Sequence, residues 1–135
     1  MARRAPAAVR AAPRRRGGAG NVPEIDGVSA GTAREIRCYE RSRLWPGAVA
    51  RALAGWKRAV HRPVTDLLQD ALSAGCPCCD PLEHRDVLAR ALQGLGRTAR
   101  RELQAQVSAW DDVFRRRTHP DPQKPAEWPW WRRRA

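Results

Sequence analysis

Gly75-Cys76-Pro77-Cys78-Cys79-Asp80-Pro81-Leu82-Glu83-His84 separates two helical patterns, and its reading decides the fold. Upstream, residues 63–74 place Val64, Leu67, Leu68, Ala71 and Leu72 at helical spacing, with Pro63 at the opening position. Gly75 is positioned to end that run as a left-handed terminator. Asp80-Pro81-Leu82-Glu83 then has the form of a helix start: a cap acceptor, proline at the first position and glutamate at the third. Val87, Leu88, Ala91, Leu92 and Leu95 make the stripe of the helix that follows. The stretch is a helix–turn–helix junction with three cysteines in the turn.

Working outward, Val49, Ala52, Leu53, Trp56 and Val60 predict a helix opened by Trp45-Pro46, with Arg51, Arg58 and Arg62 on its opposite side. A first helix is expected from Ser29 or Thr32 to about Leu44, where Thr32 and Glu35 have the form of a capping box. On the C-terminal side, Leu103, Val107, Trp110 and Phe114 predict a helix from about Ala99 to Arg117, capped by Thr98. Pro120 and Pro122 forbid its continuation. No segment alternates as a strand does. The expected fold is all-α, a single compact bundle of four to five short helices over residues 28–118. Residues 1–27, rich in Ala, Arg, Pro and Gly, read as a disordered basic arm, and 119–135 as an extended Pro/Trp/Arg tail.

The chain has 135 residues and a net charge of +12. The first twenty residues carry six arginines and no acid, and Arg132, Arg133 and Arg134 add three more. The remainder holds 17 basic and 14 acidic residues, so most of the excess sits in the two ends. Arginine far outnumbers lysine, of which there are two, and that bias also follows from a GC-rich coding sequence. No apolar run approaches the roughly 18 residues of a membrane span. The basic N-terminus has no apolar segment behind it of the kind a secretory signal needs, and the expected compartment is cytoplasmic.

Cys76 and Cys79 have C-x-x-C spacing, which lets two thiolates hold one tetrahedral ion from a tight turn. His84 faces the same way as Leu88 and Ala91 if the helix starts at Pro81, and Cys38 on the first helix is the remaining soft donor. The expected ligand set for zinc is Cys38, Cys76, Cys79 and His84, with Cys78 as a substitute. Such a site would staple the first helix to the turn. Two other readings stay open: the cysteines as small buried hydrophobes, or as a redox dithiol beside a helix N-terminus.

The basic residues point first to a nonspecific RNA- or DNA-backbone contact and then to an acidic protein surface. The candidates are Arg14, Arg15, Arg16, Arg51, Arg58, Arg62, Arg115, Arg116, Arg117, Trp130, Trp131, Arg132, Arg133 and Arg134. Base-specific reading by the third helix is disfavoured by its Asp66, Gln69 and Asp70. Trp128-Pro129-Trp130-Trp131-Arg132-Arg133-Arg134 resembles the tryptophan-rich cationic host-defence peptides of the indolicidin type, a likeness of seven residues. It implies contact with an anionic membrane surface. Stacking of the tryptophans on unpaired bases, or their docking back on the bundle, are the competing expectations. No nucleophile–base–orienter set, phosphate-binding glycine loop or pair of catalytic carboxylates stands out, so the chain reads as a non-enzymatic accessory protein or, alternatively, a metal-stapled interaction module.

Overall fold

The computed structural model describes residues 22–135. Among them are five helices: α1 (Ala30–Arg43), α2 (Ala48–His61), α3 (Val64–Ser73), α4 (Glu83–Gly94) and α5 (Arg97–Arg117). Single 3₁₀ turns occur at Pro77–Cys79 and Trp130–Arg132, and there is no strand among the described residues. The all-α bundle read from the apolar periodicity is the fold. The candidate arginines at 14–16 lie outside the described residues. The last part of the expected arm, from residue 22, runs along the bundle: Ile25 packs against the core and Gln106 Nε2 donates to the Asp26 carbonyl.

Helix ends are satisfied largely by side chains from elsewhere in the chain. Ser29 caps α1 through its hydroxyl, and Glu102 of α5 accepts from both the Ser29 amide and its hydroxyl. In return Glu35 does not close a capping box with Thr32 but accepts from Gly96 N–H at the start of α5. The Trp45-Pro46 opening of α2 also differs from expectation. Those residues form a turn, Gly47 has φ of 77°, and the helix begins at Ala48. The buried Glu40 carboxylate supplies the cap instead, accepting from Gly47 N and Val49 N at 2.9 Å each.

The core lies between α2, α4 and α5. Val49, Ala52, Trp56 and Val60 meet Val87, Leu88 and Ala91, with Leu103, Val107 and Phe114 closing the third side. Trp56 and Phe114 meet edge-on at 5.1 Å. Close approach of α4 to α2 depends on Gly55, where an added Cβ would overlap the His84 ring. Helix α3 contributes less than its pattern suggests. Only Leu67 is buried, while Leu72 is 75% exposed. The extended Arg62 (ψ 160°) before Pro63 turns α3 away from the axis of α2, so its stripe grazes the bundle rather than entering it.

Residues 119–135 fold back instead of extending as a tail, and of the competing expectations for the tryptophans the docking of Trp130 and Trp131 on the bundle is the one found. His119 and Ala135 exchange two backbone hydrogen bonds of 2.8 Å, and Pro120 bridges Arg134. The returning segment lays Trp131, 8% exposed, against α4, and Trp130 against Phe114. Beneath Trp131 is a buried ion pair. Arg85 donates to both carboxylate oxygens of Asp111 (2.9 and 3.1 Å), and Trp56 Nε1 donates to Oδ1 at 3.0 Å. The Arg85 guanidinium carbon sits 4.1 Å from the centre of the Trp131 ring. Four prolines did exclude a helix here, but the tryptophans and arginines found partners on the bundle.

Asp111→Ala would leave the Arg85 charge buried and unpaired, and is expected to cost about 3–5 kcal/mol. Trp131→Ala, removing a buried indole, should cost about 3–5 kcal/mol as well. Urea unfolding measures both: a loss below about 1 kcal/mol for Asp111→Ala would mean that the buried pair does not hold the bundle, and one that small for Trp131→Ala that the returning segment does not.

Candidate metal centre at the α3–α4 turn

The turn is built from short-range constraints. Helix α3 ends at Ser73, and Gly75 does not adopt the left-handed conformation expected of it; Ala74 leaves the helix in extended geometry instead. Cys76 is also extended, and from there Pro77 starts the 3₁₀ turn. Cys79 N donates to the Cys76 carbonyl at 3.2 Å, and Asp80 N to that of Pro77 at 3.3 Å. Asp80 Oδ1 then accepts from Leu82 N at 2.9 Å, so α4 begins at Glu83, two residues later than a proline at the first position predicts.

This geometry gathers three thiols at the surface. The Cys76 Sγ lies 2.8 Å from that of Cys78 and 3.2 Å from that of Cys79, and the last two are 3.7 Å apart. Cys78 is thus a full member of the group rather than a substitute. Contacts from Cys78 and then Cys79 hold the Cys76 thiol below the usual thiol range. The contact with Cys76, followed by that with Cys78, pushes Cys79 up to about 11. The three sulfurs are within reach of a single metal ion. None of the four cysteines is buried, which removes the reading of them as small core hydrophobes.

Cys38 does not join them. It is exposed on α1, beside a cleft whose other wall is Arg90, Gln93 and Gly94 at the C-terminal end of α4. The cysteine turn precedes the N-terminal end of that helix, and 12 helical residues span about 18 Å. At about 100° per residue, Cys38 points away from the side of α1 that buries Ile36 and Glu40. Arg41 donates to its sulfur at 3.3 Å. The expected staple between α1 and the turn is therefore absent.

His84 is half-buried in the first turn of α4, its ring against Gly55. It shares a cavity of about 470 Å³ with Cys78, Trp45, Pro77 and Val87. Burial, with Arg58 nearby, lowers its pKa below the ordinary imidazole value, and Asp80 opposes this. The ring is accordingly neutral at pH 7, the form in which imidazole binds metals. It stands next to the thiol group without belonging to it.

A residue the cysteine pattern did not reveal anchors the turn. Arg132 bonds Asp80 Oδ2 at 2.8 Å and the Asp86 carboxylate, on which Trp131 Nε1 also donates at 2.7 Å. These carboxylates raise the already high Arg132 pKa against the effect of burial. The residue directly after Cys79 is thereby tied to the C-terminal segment. A tryptophan–arginine pair near the terminus and acids at 80 and 86 were the available signal, but nothing in their spacing joins positions so far apart.

The basic set is largely committed within the fold. Arg134 donates to Thr118 Oγ1 and to the carbonyls of Arg115 and Thr118, terminating α5. Arg117 donates to the Val60 carbonyl, Arg51 to that of Pro46, and Arg62 pairs with Asp70. Arg115 stacks on Trp130 at 3.9 Å and pairs with Asp112. Arg133 is half-buried, with its Nε enclosed and unpartnered. Arg58 and Arg116 remain exposed, on α2 and at the end of α5. No helix among the described residues is long and apolar enough to cross a membrane. Comparison with protein-family models, curated proteins and solved structures gives no match.

The depressed His84 pKa has a definite sign. The unfolded chain takes up the proton near pH 6.5 and the folded one only lower, so stability present above that range is lost as pH falls through it. In metal-free protein, His84→Asn should therefore lose less melting temperature than the parent between about pH 7.5 and about pH 5. Parallel losses would show that His84 titrates normally.

Proposed function

We propose that this chain is a metal-binding interaction module, with Cys76, Cys78 and Cys79 as thiolate ligands of a zinc ion. The observation that carries the reading is the convergence of three surface sulfurs within 2.8–3.7 Å. Thiolates around zinc, at about 2.3 Å from the metal, stand about 3.8 Å apart, so two of the three separations need to open by an ångström or less. Soft sulfur donors suit zinc over the hard cations. The fourth position of the tetrahedron is left for a nitrogen or oxygen donor, and neutral His84, lining the same cavity as Cys78, is a candidate for it. A three-sulfur ion at the surface also suits a partner that supplies the fourth donor itself.

The contacts of the C-terminal segment weaken the nucleic-acid reading. Its aromatic component was Trp130 and Trp131, and these stack on Phe114, Arg115 and Arg85. With Arg132 and Arg134 held by acids and carbonyls, the C-terminal segment offers little free charge to a phosphate backbone or an anionic membrane.

Reduced full-length protein, prepared without oxygen and titrated with zinc against a chromophoric chelator, is expected to take up one ion. A Cys76→Ser/Cys78→Ser/Cys79→Ser variant should take up none, while Cys38→Ser should bind as the parent does. Uptake that survives the triple substitution would overturn the assignment. Because all three thiols lie within four residues, the unfolded chain keeps them together and also binds metal. Chelation is accordingly expected to lower the melting temperature by no more than ~2 °C, where a staple between distant helices would lower it far more.

A further inference from the structure

The 3₁₀ geometry that gathers the thiols also pairs two of them. Cys78 Sγ is the nearer neighbour of Cys76, at 2.8 Å, but a bond between them would close a tight ring around Pro77 alone, whereas Cys76 and Cys79 stand at the two ends of the turn. The Cys76 carbonyl accepts from Cys79 N–H at 3.2 Å, closing a four-residue turn, and turns so closed keep their end Cα atoms within about 7 Å. Disulfides need Cα atoms about 4.4–6.8 Å apart with Cβ vectors converging. The Sγ atoms of Cys76 and Cys79 already stand at 3.2 Å. The neighbouring pair, Cys78 and Cys79, fails the same test, because adjacent Cα atoms are only ~3.8 Å apart. Cys78 and Cys79 are exposed and Cys76 partly so, leaving the group open to a small reagent.

We propose that Cys76 and Cys79 are a redox-active pair, which forms an intramolecular disulfide by exchange with a low-molecular-weight disulfide. One thiolate of the pair attacks a sulfur of the small disulfide, breaking its S–S bond, and the released thiolate takes up the proton that the attacking cysteine gave up. The second cysteine, as its thiolate, then attacks the protein sulfur of the mixed disulfide. It displaces a second small thiolate, which takes up that cysteine's proton. Two protein thiols are oxidised and one small disulfide is reduced to two thiols, so electrons and protons balance. Cys78 remains a free thiol. Where the metal reading holds, the bond removes two of the three sulfur ligands, so oxidation releases the ion and the bound ion shields the pair from oxidation. That consequence rests on the proposed metal site; the disulfide does not.

Reduced, metal-free full-length protein is incubated with glutathione disulfide, quenched by alkylation and mapped by peptide mass spectrometry. The expected product has lost two hydrogens, with Cys76 joined to Cys79 and Cys78 alkylated, and Cys78→Ser gives the same bond. A bond between Cys76 and Cys78, or glutathione adducts that never resolve, would overturn the pairing. A parallel sample loaded with one equivalent of zinc separates the two proposals. Disulfide formation by a chain that takes up no zinc supports the redox pair and removes the metal reading. Zinc uptake by a chain that never forms the bond does the reverse.

Discussion

The bidentate pair between Arg85 of α4 and Asp111 of α5 is the constraint on which the rest of the arrangement depends. Both residues are buried, at 5% and 2% exposure. An ion pair so enclosed contributes modest net stability once desolvation is counted, yet separating it is costly because one bare charge stays behind. Most of the pair's polar atoms are matched by partners, with Arg85 Nη1 the enclosed exception. Asp111 receives the Trp56 indole from α2 as well as the guanidinium, and the indole of Trp131 covers the face of Arg85. Three helices and the C-terminal segment are thereby registered on one buried charge pair.

From Trp131 the linkage continues to the surface. Its indole nitrogen and the Arg132 guanidinium share Asp86, and Arg132 also holds Asp80, the residue that follows the three cysteines. The turn is positioned from the core outward, through a segment more than forty residues away in sequence. The same contacts explain why a chain of net charge +12 offers so few unengaged arginines near its C-terminus. Several of them close helix ends or neutralise acids, tasks for which a planar, five-donor group is better suited than lysine.

The helical periodicity of α2, α4 and α5 was plain in the residues, because each buries a continuous stripe that a strand could not display. Locally decided features were visible too, such as the start near Asp80-Pro81 and the break at Pro63. Caps supplied from another helix were not: Glu40 to α2, Glu35 to α5 and Glu102 to α1 read as ordinary surface acids until the helices are assembled. The apolar stripe of α3 misled for a related reason. Periodicity says which side of a helix is apolar, but the angle at Arg62–Pro63 decides whether that side meets the core. Of the candidate site, the C-x-x-C pair and its metal-binding spacing were legible. The membership of Cys78, the distance of Cys38 and the anchoring by Arg132 all required the chain to be folded.

What results is a cluster of three surface thiols on a helix junction that α4 and the C-terminal segment hold in place through Asp80 and Arg132. A surface position costs little desolvation when thiols ionise, which suits both metal capture and exchange chemistry. Zinc K-edge X-ray absorption of the loaded, reduced protein tests the central claim most directly. Three sulfur neighbours at about 2.3 Å with one nitrogen or oxygen neighbour would agree with the turn as a thiolate site. A shell dominated by nitrogen and oxygen would contradict it.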